Sequence, residues 1–176
     1  MDSIDGVPKW IEMLRGVNWK WERGAMEALL LDLGLQQENS NATWTHYHLA
    51  DGKAACSLLH GDGKVLRLEV AIDVNEELGN QRVYDPIRYI ENRDAVFHEF
   101  DCKFARAVAQ AEAILGPPRF RGTWQDVDCP DRIASPIRVA AWLVRNGILM
   151  VEYQHEDNEL PLIIAIVIQP ELAETS

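Results

Sequence analysis

The stretch VLRLEVAID, residues 65–73, alternates apolar and polar side chains and decides the fold class. Successive side chains of a β-strand point to opposite faces, so this period of two predicts a strand that is buried on one side. The face predicted to be apolar carries Leu66, Leu68, Val70 and Ile72, and the polar face carries Arg67, Glu69 and Asp73.

Two more strands are predicted just upstream, over residues 43–49 and 54–60. Asp51-Gly52 between them is a strong signal for a type I′ hairpin, and the sequence Gly-Asp-Gly-Lys at 61–64 makes the second turn. Before the strands, apolar residues at helical spacing predict a short helix around 10–17 and a second helix from 19 to 33. Gly34 is placed to end that second helix. The first half is therefore predicted to be helical segments followed by a three-stranded meander.

The second half repeats this order. An amphipathic helix is predicted over about 95–115, ended by Gly116 and two prolines, with a separate short helix opened by Asp85-Pro86. Strands are predicted over 137–145, 148–155 and 162–169.

An internal match connects the two halves. Asn146-Gly147 aligns with Asp51-Gly52, and His155 with His60, both at an offset of 95 residues. A meander with one apolar face needs a covering helix, and neither unit alone buries enough to be stable. We therefore predict an α+β fold made of two tandem helix-plus-three-stranded antiparallel meander units (αβββ–αβββ), over about 9–73 and 95–169. The units are expected to share one core in a single domain, residues 1–176.

Charge and cysteine usage exclude several classes of partner. The chain of 176 residues carries 28 acidic and 17 basic residues, a formal net charge of −11. Such a surface repels phosphate, and no run of Lys or Arg offsets it, so nucleic acid is not expected as a partner. Three cysteines without CxxC spacing favour a reducing compartment. Neither a signal peptide nor an apolar span is present in the sequence, so we expect a cytoplasmic protein that binds no membrane.

Catalytic and metal-binding patterns are weak. His46 and His48 share one strand face, and His60 is the nearest third ligand, but no convincing third ligand is evident and structural histidines are the favoured interpretation. His98 and Cys102 lie four apart on the predicted helix, which is half of a zinc site. Cys129 lies in a polar loop and is expected to be exposed, with acidic neighbours that oppose a reactive thiol. No GxSxG, HExxH or GxxxxGK[ST] motif occurs. We expect no enzymatic activity, no metal and no cofactor.

Two loops suit protein binding instead. Trp124, near Arg119 and Arg121, has the composition of an exposed hot spot, although the ring could also fold over the helix end. The Gly61–Lys64 turn is thin enough to enter a narrow cleft, because its two glycines expose backbone. Ordinary hairpin chemistry also favours these residues.

Several segments carry a resemblance to a known family. They are Val17-Asn18-Trp19-Lys20-Trp21, Leu33-Gly34-Leu35, Ala113-Ile114-Leu115-Gly116-Pro117-Pro118 and the strand that holds Trp142. Together with the meanders, they make the chain similar to the small actinobacterial immunity proteins that act against NAD⁺ glycohydrolases of the tuberculosis necrotizing toxin type.

The resemblance implies an antitoxin that binds a cognate secreted toxin, one to one, and occludes its NAD⁺-binding site. Asp62, Gly63, Lys64 and Gly61 are then the expected toxin-binding residues. The alternative is a dimeric chaperone or adaptor for a secreted protein, since helix-plus-meander units also build such dimers.

Overall fold

The computed structural model describes residues 3–49, 55–77, 85–131, 133–155 and 161–171. Within them the chain forms three α-helices and one sheet of eight antiparallel strands. The helices are α1 (Val7–Arg15), which follows a 3₁₀ turn at Ser3–Gly6, α2 (Arg23–Asp32) and α3 (Pro86–Leu115). The strands are β1 (Leu35–Ser40), β2 (Trp44–Leu49), β3 (Ala55–Gly61), β4 (Lys64–Asn75), β5 (Phe120–Gly122), β6 (Arg138–Val144), β7 (Gly147–Gln154) and β8 (Leu162–Gln169).

The strands lie in the order β1-β2-β3-β4-β8-β7-β6-β5. β4 and β8 pair at the centre, with Leu68 opposite Ile168 and Val70 opposite Ile166. Each half of the chain thus contributes four successive strands, one of the central pair and the three beside it. The α+β class is confirmed. The three-stranded units are wrong in strand count, and the tandem relationship of the two halves stays a prediction.

The two strands that sequence reasoning missed, β1 and β5, are the edges of the sheet. In β1 only Leu35 is buried, and the five residues that follow are polar and exposed. β5 has three residues and, among the described strands, pairs only with β6. An edge strand can satisfy one side of its backbone without burying side chains, so it leaves no apolar alternation in the sequence.

The three helices cover one face of the sheet. Their buried side chains join those of β2 to β4 and β6 to β8 in one cluster, which includes Trp10, Met26, Phe100, Leu58, Trp142 and Ile166. A second, smaller cluster lies on the opposite face, where Val139, Ala141, Met150, Ala165 and Val167 surround Cys129. The central strand β8 is buried on both faces, which explains its nearly unbroken apolar sequence.

Because β4 contains a β-bulge, its faces differ from the predicted ones. Leu59 pairs with Arg67 but His60 pairs with Val65, so Leu66 is an extra residue on β4. Leu66, predicted to be inside, is 42% exposed, and Val65 takes the inner position. Arg67, predicted on the polar face, is 1% exposed. The face of β4 that carries Arg67 is therefore buried at this residue and does not face solvent there.

Two helix boundaries also differ from the prediction. α2 begins at Arg23 rather than after Asn18. Glu22 before it has an extended backbone, and the preceding segment stacks Trp19 on Trp21 at 5.9 Å between ring centroids. α3 is one helix of 30 residues, not a short helix followed by a longer one. Asp85 caps its start by accepting a hydrogen bond from the Arg88 N–H at 3.2 Å.

The hairpin between β6 and β7 turns one residue earlier than predicted. Val144 pairs with Gly147, so the turn residues are Arg145 and Asn146, and Gly147 already belongs to β7. Asn146 has a φ of 58°, in the left-handed region that asparagine tolerates. The Asp51-Gly52 turn, with which it was aligned, lies outside the described residues.

Candidate functional site

The turn Gly61–Lys64 is a tight hairpin tip between β3 and β4. Gly61 pairs with Lys64, and the two residues between them, Asp62 and Gly63, have φ values of 52° and 73°. Two successive positive φ values define a type I′ turn, for which Asp-Gly is a preferred sequence. Asp62, Gly63 and Lys64 are exposed and Gly61 is half-buried. The four residues predicted to bind a partner thus form one protruding corner, which we call the tip.

The tip is held by the segment that leads into α2. The Arg23 N–H donates to the Gly63 carbonyl at 2.9 Å, and the Val65 N–H donates to the Trp21 carbonyl at 2.8 Å. Between these bonds, Glu22 forms an isolated antiparallel bridge with Lys64. A hairpin end that is normally free therefore has backbone partners on a neighbouring segment, and its position is fixed.

A second hairpin tip, Arg145-Asn146, lies at the same end of the sheet, because β4 begins beside the end of β8 and β7 begins there too. The Trp21 indole Nε1 donates to the Asn146 carbonyl at 2.7 Å, and the Asn146 amide donates to the Asn18 side chain at 3.0 Å. Residues 18–23 thus cross this end of the sheet and tie both tips together.

Behind the tip, the Arg23 guanidinium joins three elements. It donates to Glu27 of α2 at 2.7 Å and to Ser40 of β1 at 3.2 Å, and it lies 3.4 Å from Nδ1 of His60 on β3. The other ring nitrogen of His60 is 3.1 Å from the Thr45 hydroxyl. Burial lowers the pKa of His60, and the positive charge of Arg23 lowers it further. Sequence reasoning did not find this network because its members are far apart in the chain.

The three histidines considered as metal ligands are not brought together. His46 lies on the sheet face away from the helices, stacked on Trp44 and 2.9 Å from the Ser57 hydroxyl. His60 is buried on the other face, beside Thr45, because residues 45 and 46 alternate across the strand. Among the described residues, no group of three or more His, Cys, Asp or Glu side chains could hold a metal ion.

The helix pair His98 and Cys102 is in contact, with 3.9 Å between Nε2 and Sγ, and Cys102 is exposed. Cys129, in contrast, was predicted to be exposed and is fully buried. The loop after β5 folds over the second face of the sheet and places this thiol in the smaller apolar cluster. For Trp124 on the same loop, the sequence left open an exposed ring or a ring folded over the helix end. The residue is 50% exposed.

The same loop completes a buried charge cluster that sequence reasoning missed. Arg67 donates to Asp131 at 2.5 Å, to Glu152 at 2.6 Å and to Glu69 at 3.0 Å. Gln154 donates to Glu152 at 2.8 Å. Arg67, Asp131 and Glu152 are each at most 3% exposed. The signal that could have revealed it is Glu152 itself, a carboxylate within the apolar run of residues 148–153.

Asp131 and Glu152 are both fully buried beside one guanidinium, and two carboxylates that share such a site disfavour each other's ionisation, so one of them is expected to hold a proton. Burial raises the pKa of Glu152 to about 8, and the neighbouring Asp131 raises it as well. The pKa of Asp131 is lowered by Arg67 and by its hydrogen bonds. The raised pKa favours a protonated Glu152 beside the ion pairs of Arg67 with Asp131 and Glu69, and the Arg67–Asp131 pair holds the loop on the sheet.

In comparisons with known proteins, no family model matches the chain, and no curated protein or solved structure is significantly similar to it. Within the described part of the chain, none of the helices combines the length and the apolar character needed to cross a membrane.

Proposed function

We propose that this protein is an immunity protein that binds a cognate NAD⁺ glycohydrolase toxin one to one and occludes the NAD⁺-binding site with the tip. The observation that carries the proposal is the form of the tip. Asp62, Gly63 and Lys64 are exposed at a two-residue turn that is anchored by backbone hydrogen bonds from the Trp21–Arg23 segment. A preorganised element loses little conformational entropy when it binds.

The chemistry of the tip suits a dinucleotide cleft. Gly63 has no side chain and its backbone faces open space, since an added Cβ would meet no atom within 4 Å. Asp62 carries one negative charge and can meet cationic groups that otherwise bind pyrophosphate. The net charge of −11 favours rapid encounter with a basic partner surface. The resemblance of the sequence to actinobacterial immunity proteins supports the same function.

The proposal includes several expected properties of the chain. It acts as an inhibitor and not as an enzyme, uses no cofactor or metal, and works in the cytoplasm, where free toxin would consume the NAD⁺ of the producing cell. We also infer that the two halves are diverged copies of one helix-plus-meander unit. The central β4–β8 pairing, in which each half supplies four successive strands including one of the pair, supports that inference.

The test is a bulky substitution at the tip. Lys64→Trp adds a large ring to an exposed strand residue and does not require a side chain at a positive φ. We expect the inhibition constant for NAD⁺ hydrolysis by the cognate toxin to rise by about 100-fold, as for a central hot-spot position. Lys9→Trp, the same change at an exposed residue of α1, is the matched control and should inhibit fully.

Urea unfolding of both variants checks that the fold is intact. If folded Lys64→Trp inhibits as strongly as the unsubstituted protein, the tip is not the occluding element. If the unsubstituted protein neither binds nor inhibits the toxin, the immunity function itself is wrong.

The second candidate is a dimeric chaperone or adaptor for a secreted protein. One observation favours it: Ile87 and Ile90, one turn apart near the start of α3, are 71% and 73% exposed. Adjacent apolar side chains on a helix are a common dimer contact. Sedimentation equilibrium distinguishes the candidates, since a stable homodimer that Ile90→Glu dissociates supports the chaperone, and a monomer supports the immunity protein.

A further inference from the structure

The contacts behind the tip converge on one residue. The Arg23 main chain donates to the Gly63 carbonyl, and its side chain reaches Glu27, Ser40 and His60. The peptide that holds the tip is therefore anchored through the same residue to α2, β1 and β3. Loss of the Arg23 side-chain contacts would leave the main-chain donor to Gly63 in place but remove the anchors that hold its peptide on α2, β1 and β3.

The protonation state of His60 follows from the geometry. An arginine side chain only donates hydrogen bonds, so Nδ1 of His60, 3.4 Å from the guanidinium, must present its lone pair. The proton of the neutral ring is then on Nε2, which donates to the Thr45 hydroxyl at 3.1 Å. A second proton on Nδ1 would point at the guanidinium and place two positive charges side by side in a partly buried site.

We infer that Arg23 is the positioning residue of the tip, and that its contact with neutral His60 makes this positioning sensitive to protons. The expected effect on binding rests on the proposed function, because it follows only if the tip is the element that enters the partner. It concerns the regulation of that site. Acidification weakens the contacts of the Arg23 side chain, makes the tip more mobile and lowers affinity for the partner.

The charged and titratable groups around His60 set the direction of the effect. Arg23 and Glu27 face it from α2, and Tyr47 of β2 lies in the field of both. Ser40 and Thr45, from β1 and β2, are uncharged hydrogen-bonding partners. Burial and Arg23 both lower the pKa of His60, while Glu27 raises it, and the net shift is downward. The ring is therefore neutral at pH 7 and takes up its proton only below its ordinary value of 6.5.

The first experiment uses the free chain and needs no partner. Amide hydrogen exchange is measured for the Val65 N–H, which bonds to Trp21 beside the tip, at pH 7 and pH 5 after correction for intrinsic rates. We expect the protection factor of Val65 to fall by about tenfold at pH 5 and by a similar factor in Arg23→Met at pH 7, the loss of about one hydrogen bond to a charged group. Arg93→Met, at an exposed arginine of α3, is the control and should leave Val65 unchanged.

Substitutions of His60 separate positioning from general stability. His60→Gln offers Arg23 an acceptor and Thr45 a donor without titrating, so it should keep Val65 protected at both pH values. His60→Leu removes the acceptor and should lose protection at both. If Val65 exchange is the same in Arg23→Met, in His60→Leu and at both pH values, the inference is overturned whatever the partner does.

The second experiment measures toxin affinity of the same variants at pH 7 and pH 5. We expect the dissociation constant of the unsubstituted protein to rise by about tenfold at pH 5, mainly through faster dissociation, and that of His60→Gln to change less. If exchange at Val65 responds as expected but no variant alters affinity, positioning is correct and the proposed function of the tip is wrong. The two failures are therefore distinguishable.

Discussion

The buried Glu152 carboxyl predicts an unusual dependence of stability on pH. Its pKa is raised from 4.5 to about 8 in the folded chain. Between these values the folded state keeps a proton that the unfolded state has lost. The stabilisation is therefore complete below about pH 4.5 and is lost as pH rises towards 8, by about 1.4 kcal/mol per pH unit. Between pH 5 and pH 7 the contribution of this one group falls by roughly 2–3 kcal/mol.

The decisive variant is Glu152→Gln, because the amide has the shape of the protonated carboxyl group, whose side chain is hydrogen-bonded to Asp131, and its NH₂ group can replace the carboxyl proton as donor. Urea unfolding at pH 5, 6 and 7 measures the free energy of unfolding. We expect the variant to match the unsubstituted protein near pH 5 and to exceed it by roughly 2 kcal/mol at pH 7. Asp131 does not disturb this window, since its lowered pKa confines its own titration to lower pH.

The control is Glu91→Gln, the same chemical change at an exposed position of α3. It should follow the pH profile of the unsubstituted protein. Parallel profiles for Glu152→Gln and the unsubstituted protein would refute the argument, because they would mean that Glu152 is ionised in the folded state. A uniform loss of stability in Glu152→Gln at every pH would refute it too, since the amide would then fail to replace the carboxyl group.

Three further predictions follow from backbone and thiol environments. Gly24→Ala, inside α2 with open space around the added methyl group, should raise the free energy of unfolding by about 0.5–1 kcal/mol in urea melts. Gly147→Ala should lower it by about 1–3 kcal/mol, because its Cβ would lie 2.9 Å from both a backbone oxygen and an indole ring. With a thiol reagent under native conditions, Cys102 alone should react, and buried Cys56 and Cys129 should react only after unfolding; fast labelling of all three would contradict the fold.

Local patterns were enough to predict the elements with strong sequence signals. The alternation of residues 65–73 identified a strand, and Asp62-Gly63 identified its turn, because few other sequences accept two positive φ values. The ends of α2 and α3 were found for the same reason, since Gly34 and Gly116 have φ values of 86° and 80°. The edge strands β1 and β5 left no such signal, because their backbones pair while their side chains stay largely in solvent.

The candidate site was predictable only in part. The exposed tip residues could be chosen from turn chemistry, but their backbone anchors could not, because Arg23 and Gly63 are separated by 40 residues and meet by main-chain atoms that carry no sequence signal. The histidine pattern was misleading for a related reason. His46 and His60 are near in sequence and on neighbouring strands, yet strand parity places them on opposite faces of the sheet.

The sequence by itself determined the α+β class, the principal helices and strands, and the tip, because hydrophobic period and turn chemistry act over a few residues. Only the tertiary structure decided which charges are buried. Arg67 and Glu69 alternate with apolar residues, as side chains on a solvent-facing strand face would. The face is buried at Arg67 because the loop around Asp131 packs on it, next to the bulge at Leu66. Burial depends on what packs against a strand from elsewhere in the chain, and no local pattern contains that information.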